Sequence, residues 1–211
     1  LGASAGSERL RVRTRGATGA SIDADAGRLA DGSAVLEIAQ VVGITDATAM
    51  AAAIGARDTR GVGIVLRALL DQGCRDVAIG LGGSSTNDGG AGMLAELGVG
   101  LFDAAGRAIA PTPDGLAFLA RVDVTGLDPR IGETQLTIMS DVNNPLTGEH
   151  GATAVFGPQK GVRGDAVAAI DGVFARYASL VEAAAGRRAA HNPGAGAAGG
   201  LGFALQLLGA K

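Results

Sequence analysis

Residues 76–97 constrain the fold more than any other part of this chain. They read DVAIGL, then GGSSTNDGG, then AGMLAEL at helical spacing. A short apolar strand that runs through a polar glycine loop directly into a helix is half of a βαβ unit, and such units build parallel or mixed sheets covered by helices. The alternation continues on both sides. Residues 10–14 alternate Leu10 and Val12 with Arg11 and Arg13, a half-buried strand suited to a sheet edge. Residues 34–39 read as a strand with Glu37 set inside an apolar run. Asp46 is placed to cap a short helix through Ala53, and Thr59 to open a longer one through Asp71. That longer helix carries Val62, Val65, Leu66, Leu69 and Leu70 on one face and stops at Gly73. Further strands are expected at 98–102 and 136–140, and further helices at 113–120, 165–185 and 199–208. The expected fold class is therefore α/β, a mixed sheet covered by helices, in a single domain over residues 1–211.

The core of such a domain has little aromatic material to work with, since aromatic residues make up 3% and Trp is absent. It has to be built from Ala, Val, Ile and Leu, and the 36 glycines, more than twice the usual share of about 7%, mark close approaches and loops. A net charge of −3 argues against a nucleic-acid partner, because phosphate-backbone affinity needs an excess of clustered Lys and Arg. No run of 18 apolar residues offers a membrane span, and Cys74, the single cysteine, has no intrachain disulfide partner, so a cytoplasmic setting is expected. The chain starts on Leu1 rather than Met, which points to a longer parent protein.

Three polar, glycine-flanked segments are placed where chemistry would sit. In the first, Gly82, Gly83, Ser84, Ser85, Thr86, Asn87 and Asp88 follow a strand and precede a helix, so that backbone N–H groups and the positive helix end can receive an anion. The hydroxyls and amide add donors, and Asp88 adds a carboxylate able to hold Mg²⁺ or take a proton. The loop lacks the Lys of a Walker A motif and the spacing of a dinucleotide fingerprint. A tight turn needing several positive-φ glycines is the plainer alternative. In the second, Asp141, Asn143 and Asn144 come at the carboxyl end of a strand, where α/β proteins bind ligands, although Asn-Pro turn chemistry would use the same residues. In the third, Gln159 and Lys160 follow a Gly-Pro turn, and a loop lysine can neutralise a transferring phosphoryl group or simply lie on the surface. Glu37 is either a strand-end functional carboxylate or an edge residue facing water. Arg57, Asp58 and Thr59 read as cap and first-turn charges, and His150 and His191 as surface residues without metal-site spacing.

GGSSTNDGGAG at 82–92, SDVNNPLTG at 140–148, GATAVFGPQKG at 151–161 and PGAGAAGGLG at 193–202 occur in that order. With these motifs the chain resembles the type I glycerate kinase family over most of its length. The resemblance implies ATP-dependent phosphorylation of glycerate, with Mg²⁺, in a two-domain α/β protein unrelated to the P-loop kinases. It brings Gly194 and Gly196 into the set of substrate- or nucleotide-binding residues. On this basis Asp88 or Asp141 is expected as base or metal carboxylate, Lys160 as the phosphoryl charge, and the 82–87 backbone as the anion cradle. The family's acidic glycine motif upstream and its Gly-Glu-Gly segment downstream are not in the chain. On this resemblance the 211 residues are expected to be the middle portion, similar to the family's inserted second domain. The alternative expectation is a non-catalytic module that binds a small carboxylate or phosphate.

Overall fold

Burial of an aliphatic stripe and a few close glycine contacts account for the layers of this protein. The computed structural model describes residues 6–211, so residues 1–5 of the expected domain lie outside the described residues. In chain order the elements are β1 (Glu8–Arg15), β2 (Ser21–Arg28), β3 (Ala34–Glu37), α1 (Ala39–Val42), α2 (Ala47–Ala51), α3 (Arg60–Asp71), β4 (Asp76–Gly80) and α4 (Ala91–Glu96). They continue with β5 (Gly100–Phe102), α5 (Pro113–Leu116), β6 (Arg121–Asp123), β7 (Gln135–Met139), α6 (Ala152–Phe156), α7 (Ala166–Ala185) and α8 (Ala197–Leu207).

The main sheet has the order β1-β2-β3-β4-β7. β1, β2 and β3 are joined antiparallel, whereas β3, β4 and β7 run parallel, so the sheet is mixed and the class is α/β. β1 is the outer strand that its Arg alternation suggests, and Arg9, Arg11 and Arg13 pair across to Asp23 and Asp25 on β2. β2 itself was not expected, because its SIDADAGR is rich in residues poorly disposed to strands. Its Ala24 and Ala26 are nevertheless buried, on the two-residue period. β6 was also not expected; three residues long, it pairs with β5 in a separate two-stranded sheet.

α3 buries Val62, Val65, Leu66, Leu69 and Leu70, each at 0–1% exposure and each worth roughly 2 kcal/mol of transfer free energy. Gly73, with φ +80°, ends it. Asp46 caps α2 as expected, accepting from the backbone N–H of Thr48 at 2.9 Å and Ala49 at 3.2 Å. Thr59 departs from expectation: its hydroxyl makes no cap bond to α3 and turns instead to Asp88. The helix expected over 113–120 stops at Leu116. The last helix, expected from Gly199, is kinked at its start: within α8 Ala198, Gly199 and Gly200 are all left-handed, and the regular helix runs from Leu201. Among the described residues no helix is long and apolar enough to cross a membrane.

Candidate active site

The carboxyl ends of β3, β4 and β7 lie side by side at Glu37, Gly80 and Met139, and the loops after β4 and β7 open from there. Between them is a cleft of about 150 Å³. Gly82, Gly83 and Ser84 form one wall, Ser140 and Asp141 another, and Gln159, Lys160 and the left-handed Ala198 close it. Glu37 is exposed at the end of its strand.

The glycine loop divides in two. Its first part is open: Gly82 and Gly83 are exposed, and Gly83 has φ +66°. Its second part is packing. A Cβ on Gly89 would come 2.7 Å from the ring of Tyr177, whose hydroxyl donates to the Gly89 carbonyl at 3.3 Å. Burial raises the Tyr177 pKa well above its usual value.

Several residues expected to bind ligand prove to be interior. The Ser85 hydroxyl donates to the Val42 carbonyl at 2.9 Å, and the Asn87 amide donates to Thr153 Oγ1 at 3.1 Å. Ser85, Thr86 and Asn87 are all at 0% exposure. Asp88, also at 0%, accepts from Thr59 N and Oγ1 at 2.8 and 2.7 Å, from Gly90 N at 3.1 Å and from Gly92 N at 3.0 Å. Its carboxylate ties the start of α3 to the start of α4 and faces this packing rather than the cleft, apart from the place expected of a base or metal carboxylate. Burial pushes its pKa up to about 6, against the lowering effect of those hydrogen bonds.

Gly194 and Gly196 are likewise buried behind the cleft. A Cβ on Gly196 would stand 2.4 Å from the Pro145 carbonyl, so this glycine serves close backbone contact. Asn144 holds its own loop, with its side chain donating to the His150 carbonyl at 2.8 Å and its carbonyl accepting from Gly196 N at 2.8 Å. Asn143 is exposed outside the cleft lining. Asp141 and Gln159 are exposed at its mouth, and among the described residues no group of three His, Cys, Asp or Glu side chains converges as a metal site.

Lys160 is the unusual group. The chain has two lysines, Lys160 and Lys211, against sixteen arginines. Lys160 is 2% exposed, and its Nζ donates to Ser84 Oγ and to the Thr86 carbonyl, each at 2.7 Å. Burial lowers its pKa to about 7, with Asp88 acting in the opposite direction and Arg57 in the same one.

Arg57, read from sequence as a cap charge, is a clamp. At 2% exposure, its guanidinium donates to the carbonyls of Ser85 at 2.9 Å and Lys160 at 3.2 Å, and to those of Met50 and Ala52. Burial lowers its pKa. The sequence signal was the Arg57-Asp58-Thr59 run, in which all three side chains are buried. Ala198, the one non-glycine residue with positive φ among the described residues, left no signal of its kind in sequence.

The model of the glycerate kinase family matches residues 1–211. The glycerate kinase of Halalkalibacterium halodurans is 40% identical over 199 residues, covering 94% of this chain and 52% of that protein. The glycerate 2-kinase of Escherichia coli K12 is 38% identical over 213 residues, covering 100% of this chain and 56% of that one. The glycerate kinase of Bacillus subtilis is 49% identical over 147 residues, or 70% of this chain and 38% of the relative. A crystal structure named for a glycerate kinase 2 of Salmonella typhimurium LT2 superposes with a TM-score of 0.93 at 39% identity, covering 97% of this chain and 55% of that one. The chain thus spans about half the length of the relatives it matches.

Proposed function

The chain belongs to the glycerate kinase family, and from that premise we propose that it is the central portion of a two-domain kinase that transfers the γ-phosphoryl group of ATP to a hydroxyl of glycerate. The observation that carries the reading is the buried Lys160, held by Ser84 Oγ and the Thr86 carbonyl at the wall of the cleft where the parallel strands end. Phosphoryl transfer is catalysed chiefly by positioning and by charge placed on the transferring oxygens. Lys160 supplies that charge, and the exposed backbone of Gly82 and Gly83 receives an anion.

The cleft's 150 Å³ is below the roughly 300–1,000 Å³ of pockets that enclose whole cofactors. It suits a three-carbon acid or the phosphoryl end of a nucleotide, with the rest of the nucleotide lying beyond it. Asp141 is the carboxylate available to Mg²⁺. One carboxylate fits an ion that is held mostly by phosphates and water, and the ion would supply charge neutralisation on the phosphates. A small-acid substrate and the lone buried Cys74 agree with a cytoplasmic setting.

The test is ATP-dependent phosphoglycerate formation by the 211-residue chain and by the same chain set between the flanking portions of a full-length relative. Turnover in the completed protein is expected to fall about 100-fold in kcat/KM with Lys160→Met and with Asp141→Asn. Near-wild-type rates in both variants refute the site. Glycerate or phosphate binding by the completed protein with no turnover would instead mark a binding module.

A further inference from the structure

Lys160 and Ser84 sit together in a way that a plain phosphate-holding lysine does not require. The Nζ of Lys160 lies 2.7 Å from Ser84 Oγ, and both residues line the cleft. Its other partner is the neutral carbonyl of Thr86, and among the described residues no carboxylate forms an ion pair with it. A buried ammonium without a carboxylate partner is costly, and the neutral amine removes that cost. A neutral amine needs one donor to fill its lone pair, and in that form the 2.7 Å bond reverses: the Ser84 hydroxyl, which accepts from the ammonium, donates to the amine. An activated hydroxyl backed by a base within hydrogen-bond reach is a recurring arrangement for moving protons.

We infer that Ser84 and Lys160 form a proton relay in which Ser84 is a catalytic residue that takes the proton of the acceptor hydroxyl and passes its own proton to Lys160. The inference rests on the kinase reading above. The acceptor O–H bond breaks as its oxygen bonds to the γ-phosphorus, and the bond from that phosphorus to the bridging oxygen breaks as ADP leaves. The acceptor's proton moves to Ser84 Oγ, and the Ser84 proton moves to Lys160 Nζ, which later releases it to water. Lys160 therefore becomes cationic as phosphoryl transfer proceeds, and its charge favours the transition state over the ground state. The lowered pKa of the amine agrees with a neutral resting form near pH 7. The charged groups acting on the pair are Asp88, whose carboxylate favours the cation, and Arg57, which opposes it; Asp141 shares the cleft at its exposed mouth. Asp88 has no route to the acceptor, because its oxygens are taken up by Thr59, Gly90 and Gly92.

The experiment has two arms. With carbon-13-labelled lysine the chain gives two lysine side-chain signals, assigned by Lys160→Met, and the Lys160 signal is expected to titrate near pH 7. Ser84→Ala should move that midpoint. In the completed kinase, Ser84→Ala should lower kcat by about 100-fold or more while KM for each substrate changes less than about threefold. Ser84→Thr should recover kcat to within about tenfold of wild type, and Lys160→Arg, a cation that is no base, should not recover it. Ser84→Ala retaining kcat within about threefold, or a Lys160 midpoint that ignores Ser84, overturns the relay. A wild-type protein with no turnover on ATP and glycerate overturns the kinase reading, and the relay's role with it, whatever the lysine titration shows.

Discussion

At the scale of single residues, the site is decided by which polar side chains reach the cleft and which are spent inside the protein. Asp88 belongs to the second group, and it accepts from three backbone N–H groups, those of Thr59, Gly90 and Gly92. Asp88→Ala should therefore cost about 3 kcal/mol or more in urea unfolding, because several buried N–H groups lose their partner at about 1–3 kcal/mol each. Lys160 makes a different, pH-dependent contribution. Its pKa is about 7 in the folded protein against 10.5 ordinarily, so between those values the unfolded chain binds more protons and stability rises with pH. Lys160→Met should abolish that rise, as read by urea midpoints at pH 7 and pH 10. Asp88 works with the opposite sign and in a separate window, since its raised pKa lowers stability as pH climbs from 3.8 to about 6. The residue types of the site were legible in sequence, and Asp141, Gln159, Lys160, Gly82, Gly83 and Ser84 do line the cleft. What sequence could not separate is Ser84 from Ser85, Thr86 and Asn87. Neighbours in a loop point to opposite sides, and only the packing of Val42 and Thr153 against the latter group reveals the division.

At the scale of elements, close contact between helices depends on glycine at particular points. α3 and α4 cross where a Cβ on Gly92 would come 2.5 Å from the backbone nitrogens of Thr59 and Arg60, atoms that cannot move aside without moving the start of α3. Gly92→Ala should destabilise by about 1–3 kcal/mol through overpacking. It should also weaken the bond from Gly92 N to Asp88, and the two effects can be separated by comparing unfolding of Gly92→Ala and Asp88→Ala with the double variant. Elements with a strong apolar period, α3, β4 and α7, were legible to within a residue or two. β2 was not, because alanines provide its buried face and aspartates its outer one, and such residues carry little strand signal of their own. Of the left-handed run at 198–200, Gly199 and Gly200 fall inside the helix expected over 199–208, because Ala and Gly there follow no rule visible in sequence; the backbone is set by Gly89 and Thr86, which leave no room beside it.

At the scale of the whole molecule, the site is assembled from segments far apart in the chain, and Arg57 is where they meet. Its guanidinium bonds the carbonyls of Ser85 and Lys160, residues 28 and 103 positions away. Arg57→Met should leave those buried carbonyls without donors and cost about 2–4 kcal/mol. Hydrogen exchange should then quicken together in residues 82–87 and 157–161, whereas a local role would show it in one segment alone. Sequence order showed the motifs but not this junction, since nothing in a linear string marks a side chain that answers to two distant loops. The same clamp limits how the site can be transplanted. A glycine loop grafted onto another α/β protein would carry its backbone but not the arginine that aligns it with the lysine, so a working transfer has to move residues 50–60, 80–92 and 151–161 as one unit.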